Sequence, residues 1–152
     1  MRPEGRDPSI DDRSAIPRAP SQDAPDAAPS RARILVVEDN QVNVLILRAM
    51  LRKCGHEPAV ARDGAEGVEL AERLRPDLVL MDLQMPRLDG LAAAAEIGRR
   101  MNGSAPCILA VTANVTEAVD RSCRSAGFAG VLAKPIVFQD LSEALRRHLR
   151  AP

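Results

Sequence analysis

Three carboxylates, one hydroxyl and one ammonium each follow an apolar run in this 152-residue chain. Ile34-Leu35-Val36-Val37 stops at Glu38-Asp39, and Val79-Leu80-Met81 stops at Asp82. Cys107-Ile108-Leu109-Ala110-Val111 stops at Thr112, and Gly130-Val131-Leu132-Ala133 stops at Lys134-Pro135. Short apolar runs bounded by polar and turn residues read as buried parallel strands. Ligands and chemistry gather at the carboxyl edge of such sheets. Any one of these acids alone would read as a solvated loop residue. The acids at two strand ends, with Thr112 and Lys134 at two more, describe one rim suited to a phosphoryl group and a metal ion.

Carboxylates that converge raise one another's pKa unless a cation sits among them. Magnesium fits a few carboxylates, retained waters and room for a phosphate oxygen. Calcium wants more ligands and zinc wants His or Cys, and neither an EF-hand loop nor such residues stand near these acids. Phosphoryl transfer asks for an in-line nucleophile and positive charge around the equatorial oxygens. Asp82 is the candidate nucleophile, forming an aspartyl phosphate. Lys134 can neutralise developing charge, and Thr112 can donate its hydroxyl to a phosphoryl oxygen. The chain has no Walker A loop, so ATP is not the expected donor. His56, beside Gly55, and His148, near the end of the chain, read as boundary residues rather than catalytic groups.

The elements that must position this rim follow from hydrophobic periodicity. Strands are expected at Arg33–Val37, Glu57–Ala61 (weak, at an edge), Leu78–Met81, Cys107–Val111 and Ala129–Ala133. Helices are expected at Val42–Cys54, Ala65–Leu74, Leu91–Met101, Val115–Ala126 and Phe138–Leu149. Gly55 ends the first helix, Pro76 stops the second, and Gly127 takes the C′ position of the fourth. The last carries Leu141, Ala144, Leu145, His148 and Leu149 on one stripe. Five repeats of strand then helix predict an α/β fold, a doubly wound parallel sheet with right-handed crossovers.

Composition narrows the function classes. A zero net charge and a pI near 6.7 favour neither nucleic acid nor membrane as partner. Two Phe and no Tyr or Trp leave no stacking platform for single strands. Cys54, Cys107 and Cys123 have no metal-ligand spacing and are odd in number, which fits a reducing cytoplasm. No apolar stretch is long enough to span a bilayer, and the first 30 residues lack a signal-peptide centre. Residues 1–30 hold six of the twelve prolines, a net charge of −2 and only Ile10 and Ile16 as branched aliphatics. They are expected to form a disordered tail. The folded domain is expected to fill residues 31–152, leaving nothing after its last helix for an effector domain.

Together, Val36–Asn40, Val79–Pro86, Thr112-Ala113-Asn114 and Lys134-Pro135-Ile136 resemble the receiver domain of two-component response regulators. The wording of Glu38–Asn43 (E-D-N-x-x-N) and Asp82–Gly90 (D-x-Q-M-P-x-x-D-G) is nearest to receivers of hybrid sensor histidine kinases. The resemblance covers residues 33–149 and implies a flavodoxin-like (βα)5 sheet with strand order 2-1-3-4-5. It implies that Asp82 takes phosphate from a phosphohistidine of a histidine kinase or phosphotransfer protein, the receiver itself assisting. It implies that Asp39, Asp82 and the backbone carbonyl of Gln84 bind Mg2+ directly and Glu38 through a water. Lys134 would pair with Asp82 or its phosphate, and the Lys134–Pro135 bond would be cis. One position departs: Val131 stands where many receivers carry an aromatic that follows the threonine inward. The expected function is a signalling phosphoacceptor rather than an enzyme. Two readings stand beside it, a phosphorylation-independent docking module and an aspartyl-nucleophile phosphatase. The latter normally has a second acid where Gln84 stands.

Overall fold

The computed structural model describes residues 32–85 and 88–149. The expected tail over residues 1–30, and Pro86 and Arg87 of the Asp82–Gly90 motif, lie outside the described residues. The chain runs β1 (Ile34–Val37), α1 (Gln41–Lys53), β2 (Ala59–Ala61), α2 (Gly64–Leu74), β3 (Leu78–Asp82), α3 (Gly90–Arg100), β4 (Cys107–Thr112), α4 (Glu117–Ser125), β5 (Gly130–Ala133) and α5 (Phe138–His148). All neighbouring strands pair in parallel, in the order β2-β1-β3-β4-β5. This is the flavodoxin-like (βα)5 sheet expected from the sequence.

Alternation along each strand builds two apolar layers. Leu35, Val37, Val79, Met81, Ile108 and Ala110 pack with Val68 and Ala71 of α2, Ala93 and Ile97 of α3, and Cys123 of α4. Ile34, Val36, Leu78, Leu80, Leu109 and Val111 pack with Leu47 and Leu51 of α1 and with Leu141, Ala144 and Leu145 of α5. Helices thus cover both faces. Because β1 and β3 are covered twice, they read in sequence as unbroken apolar runs.

Capping residues set the helix starts. Asn40, Asp63, Asp89 and Thr116 each accept the backbone N–H three residues on. The first three helices therefore begin one residue earlier than periodicity suggests, while α4 begins two later, after Thr116. At β2 the strand is shorter than expected. Pro58 has no N–H for the ladder, and the Glu57 carboxylate pairs with Arg52 and Arg48. Arg75, just before Pro76, leaves the helical region with φ 50° and ψ 64°, and its N–H still bonds to Ala71. Gly127 ends α4 with φ +98°.

Candidate functional site

Register brings the strand ends level. Val37 pairs with Met81, Asp82 with Val111, and Thr112 with Ala133. The N–H of Glu38 continues the ladder by one bond, to the carbonyl of Ala61 at 3.0 Å. Glu38 therefore falls on the same face of the sheet as Asp82. One carboxylate oxygen from each of Glu38, Asp39 and Asp82 lies within 4.8 Å of the other two. The Lys134 ammonium closes the group, 3.2 Å from Asp82 Oδ1 and 3.4 Å from Glu38 Oε1. Its backbone N–H bonds to the Thr112 carbonyl at 2.9 Å, and the Lys134–Pro135 bond is cis.

Burial gives these charges their force. Glu38 is 2% exposed, Asp82 3% and Thr112 2%, whereas Asp39 faces solvent. Burial pushes the Glu38 carboxyl above the usual range, and the nearby charge of Asp82 pushes it further. The Asn40 N–H and Lys134 pull it back in part. Glu38 Oε1 is buried and makes no hydrogen bond. An unsatisfied oxygen beside two other acids is the situation that a hard divalent cation relieves. Glu38, Asp39 and Asp82 thus fit such an ion by donor type, spacing and need.

The other expected residues are placed by main-chain bonds. The N–H of Gln84 donates to Asp82 Oδ1 at 3.1 Å, turning the exposed Gln84 back over the strand end. Thr112 Oγ1 accepts the Asn114 N–H at 3.1 Å, and an accepting hydroxyl still has its O–H to give. His56 and His148 lie at the ends of α1 and α5, outside this group. Val131 is half-buried on β5, paired with Ala110.

Three further residues contribute. Asn40 and Asn43 both bond Glu38 Oε2, through a main-chain N–H at 3.2 Å and a side-chain amide at 3.4 Å. The D-N-x-x-N spacing was their signal, read only as part of a motif. Gly90 is the third. A Cβ there would run into the Asp82 carbonyl oxygen and come within 2.9 Å of Leu83 Cα, so α3 starts directly on the strand end.

Residues 34–146 match the response regulator receiver domain family. The transcriptional regulatory protein PdtaR of Mycobacterium tuberculosis is 41% identical over 127 residues, 83% of this chain and 60% of its own length. The present chain therefore spans less than two thirds of that relative. The receiver domain of the Pseudomonas aeruginosa sensor histidine kinase PA1611, solved with magnesium in its active-site cleft, is 40% identical. It superposes with a TM-score of 0.72 over 79% of this chain and 98% of its own. The Saccharomyces cerevisiae Ssk1 receiver, solved with the histidine phosphotransfer protein Ypd1, appears in a structure with a TM-score of 0.75 and 28% identity. That match covers 80% of this chain and 92% of the other. On the family match, the order of the sheet and the PdtaR identity, this chain belongs to the response regulator receiver domains of two-component signalling systems.

Proposed function

We propose that Asp82 is the phosphoacceptor of this receiver and that its donor is a phosphohistidine on a histidine kinase or a phosphotransfer protein. The observation that carries the reading is Lys134, held between Asp82 and Glu38 in a rim of buried acids. Asp39, Asp82 and the Gln84 carbonyl would hold a Mg2+ ion, with Glu38 reaching it through a bound water. When bound, that ion supplies the positive charge that draws phosphoryl oxygens in and offsets repulsion among the acids. An Asp82 carboxylate oxygen attacks phosphorus in line, the P–N bond breaks, and the imidazole leaves with the bonding pair. Lys134 moves from the carboxylate to a phosphoryl oxygen, and Thr112 donates its hydroxyl to another.

The protein acts as a switch that assists its own phosphorylation and dephosphorylation, not as an enzyme on a separate substrate. Val42, Leu45 and Ile46, exposed by 63%, 63% and 45%, form an apolar face on α1, the helix that begins at this rim. A donor protein seated there would bring its phosphohistidine to Asp82. The three cysteines are unpaired, which suits the cytoplasm. Among the described residues no helix is long and apolar enough to cross a membrane.

The test is incubation with Mg2+ and acetyl phosphate, followed by intact mass. A Mg2+-dependent gain of one phosphate, lost in Asp82→Asn, is the expected result. Borohydride trapping should map the label to Asp82. Label on Glu38, Asp39 or a serine of residues 1–30 would overturn the assignment, and no gain at all would favour a docking role.

A further inference from the structure

Two helices start with a side chain from their fourth capping-box position reaching backwards, and the two reach for opposite purposes. At α2, Glu66 gives its own N–H to the capping Asp63, and its carboxylate accepts the Arg62 N–H at 2.8 Å. That is close to the reciprocal capping box, with the carboxylate satisfying the main-chain donor one residue before the cap. At α1 the corresponding residue is Asn43. Its N–H bonds to the capping Asn40 side chain at 3.1 Å, as expected. Its side chain, however, serves as a donor to Glu38 Oε2 at 3.4 Å. The Asn40 N–H, which a capping box would satisfy from this position, is taken by the same Glu38 oxygen at 3.2 Å.

Glu38 therefore has one oxygen tethered twice to the first turn of α1 and the other, Oε1, left without a hydrogen bond 3.4 Å from Lys134. A carboxylate accepts only, so the amide must present its NH2 and not its oxygen. The tether is also neutral. A lysine or arginine in its place would hold Glu38 as well but would repel a cation and compete with Lys134. We propose that Asn43 is a positioning residue: its amide fixes the Glu38 carboxylate so that Oε1 stays directed to the cation site. Without it, the Glu38 carboxylate is free to close its 3.4 Å approach to Lys134 and draw that ammonium away from Asp82. This rests on the reading of Glu38, Asp39 and Asp82 as the Mg2+ site.

The test is calorimetric titration of the full chain with MgCl2, since the protein has no Trp or Tyr to report binding by fluorescence. Asn43→Ala keeps the main-chain N–H that Asn40 caps, and alanine is the better helix former. Its melting temperature in EDTA should therefore not fall. Its Mg2+ affinity should fall about tenfold, the low end of the range for losing a residue that orients the groups around a metal. The Mg2+ concentration for half-maximal phosphorylation by acetyl phosphate should rise by the same factor. The rate at saturating Mg2+ should return towards wild type. In a Glu38→Ala background the Asn43→Ala change should add nothing. Equal Mg2+ affinity in Asn43→Ala and wild type, with Glu38→Ala weakened, would overturn the role of Asn43 alone. Additive losses in the double variant would do the same. A wild-type chain that binds no Mg2+ would overturn the proposal together with the site reading beneath it.

Discussion

Nζ of Lys134 stands 3.2 Å from Oδ1 of Asp82, with the two side chains 22% and 3% exposed. An ion pair this far from solvent is strongly destabilised by removing one partner, because the other charge is left buried. Lys134→Met should lower the stability of the Mg2+-free domain by about 1–3 kcal/mol, the range for orphaning a buried polar partner. Mg2+ should restore part of that loss, since it can take over the neutralisation of Asp82. Thermal melts in EDTA and in MgCl2 measure both effects. A variant as stable as wild type in EDTA would show that the pair contributes nothing to the fold.

Glu38 gives a pH signature with a definite sign. Its carboxyl is raised above the ordinary value of 4.5 by burial and by Asp82. The folded state therefore holds its proton more tightly than the unfolded state does. This group's contribution to stability is complete below 4.5, falls as pH rises towards the raised value, and is constant beyond it. Glu38→Gln should be more stable than wild type at pH 7 in EDTA, and the gap should close below pH 4.5. Asp39, Asp82 and Lys134 share the rim and remain in both proteins. Saturating Mg2+ should reverse the order at pH 7. A gap independent of pH would mean that packing, not charge, distinguishes the two.

Two glycines of α3 should respond in opposite ways. A methyl group at Gly90 meets the Asp82 carbonyl and the Leu83 backbone, neither of which is a flexible side chain. Gly90→Ala should cost about 1–3 kcal/mol by overpacking and should disturb Asp82. Gly98 has nothing within 4 Å of its added Cβ. Gly98→Ala should gain about 0.5–1 kcal/mol from helix propensity. Urea denaturation of both variants checks the pair.

The centre of the sheet was legible because β1, β3 and β4 are buried on both faces, so their apolar runs are continuous and their polar ends abrupt. The convergence of Glu38, Asp82 and Lys134 was legible because each follows an apolar run, even though β5 is only partly buried. Asn43 was not, because its partner depends on which rotamer Glu38 takes at a strand end. Gly90 was not either. Its need to be glycine comes from the return of α3 onto the carbonyl of a residue eight positions earlier, and no local pattern records that approach. Element ends slipped by one or two residues where capping side chains, not apolar period, decide them.

Deleting residues 1–30 should leave the melting temperature and acetyl phosphate labelling of the remaining domain unchanged. Both apolar layers are built from described residues alone, and the central strands β1, β3 and β4 are buried by them. The deleted segment has only Ile10 and Ile16 as branched aliphatics. Differential scanning calorimetry and intact mass after acetyl phosphate treatment, applied to both lengths, check the two halves. A fall of more than a few degrees would show that the segment packs on the domain.

The conformational response to phosphorylation should be uneven. Phosphate at Asp82 adds close to two negative charges beside Lys134 and Thr112. Thr112 is buried, and its Oγ1 is tied to the Asn114 N–H. Turning the hydroxyl towards a phosphoryl oxygen must therefore strain or break that bond and move residues 113–116, which lead into α4. Further along, Val131 pairs with Ala110 and packs half-buried against the α2–α4 layer. It is too small to swing far into space that Thr112 vacates. Amide exchange with and without beryllofluoride should show large changes after Asp82 and Thr112 and small ones along Gly130–Ala133. Val131→Tyr should extend the response into β5 by supplying a side chain that can follow the threonine. Changes along wild-type β5 as large as those at Thr112 would show that the valine does not confine the switch.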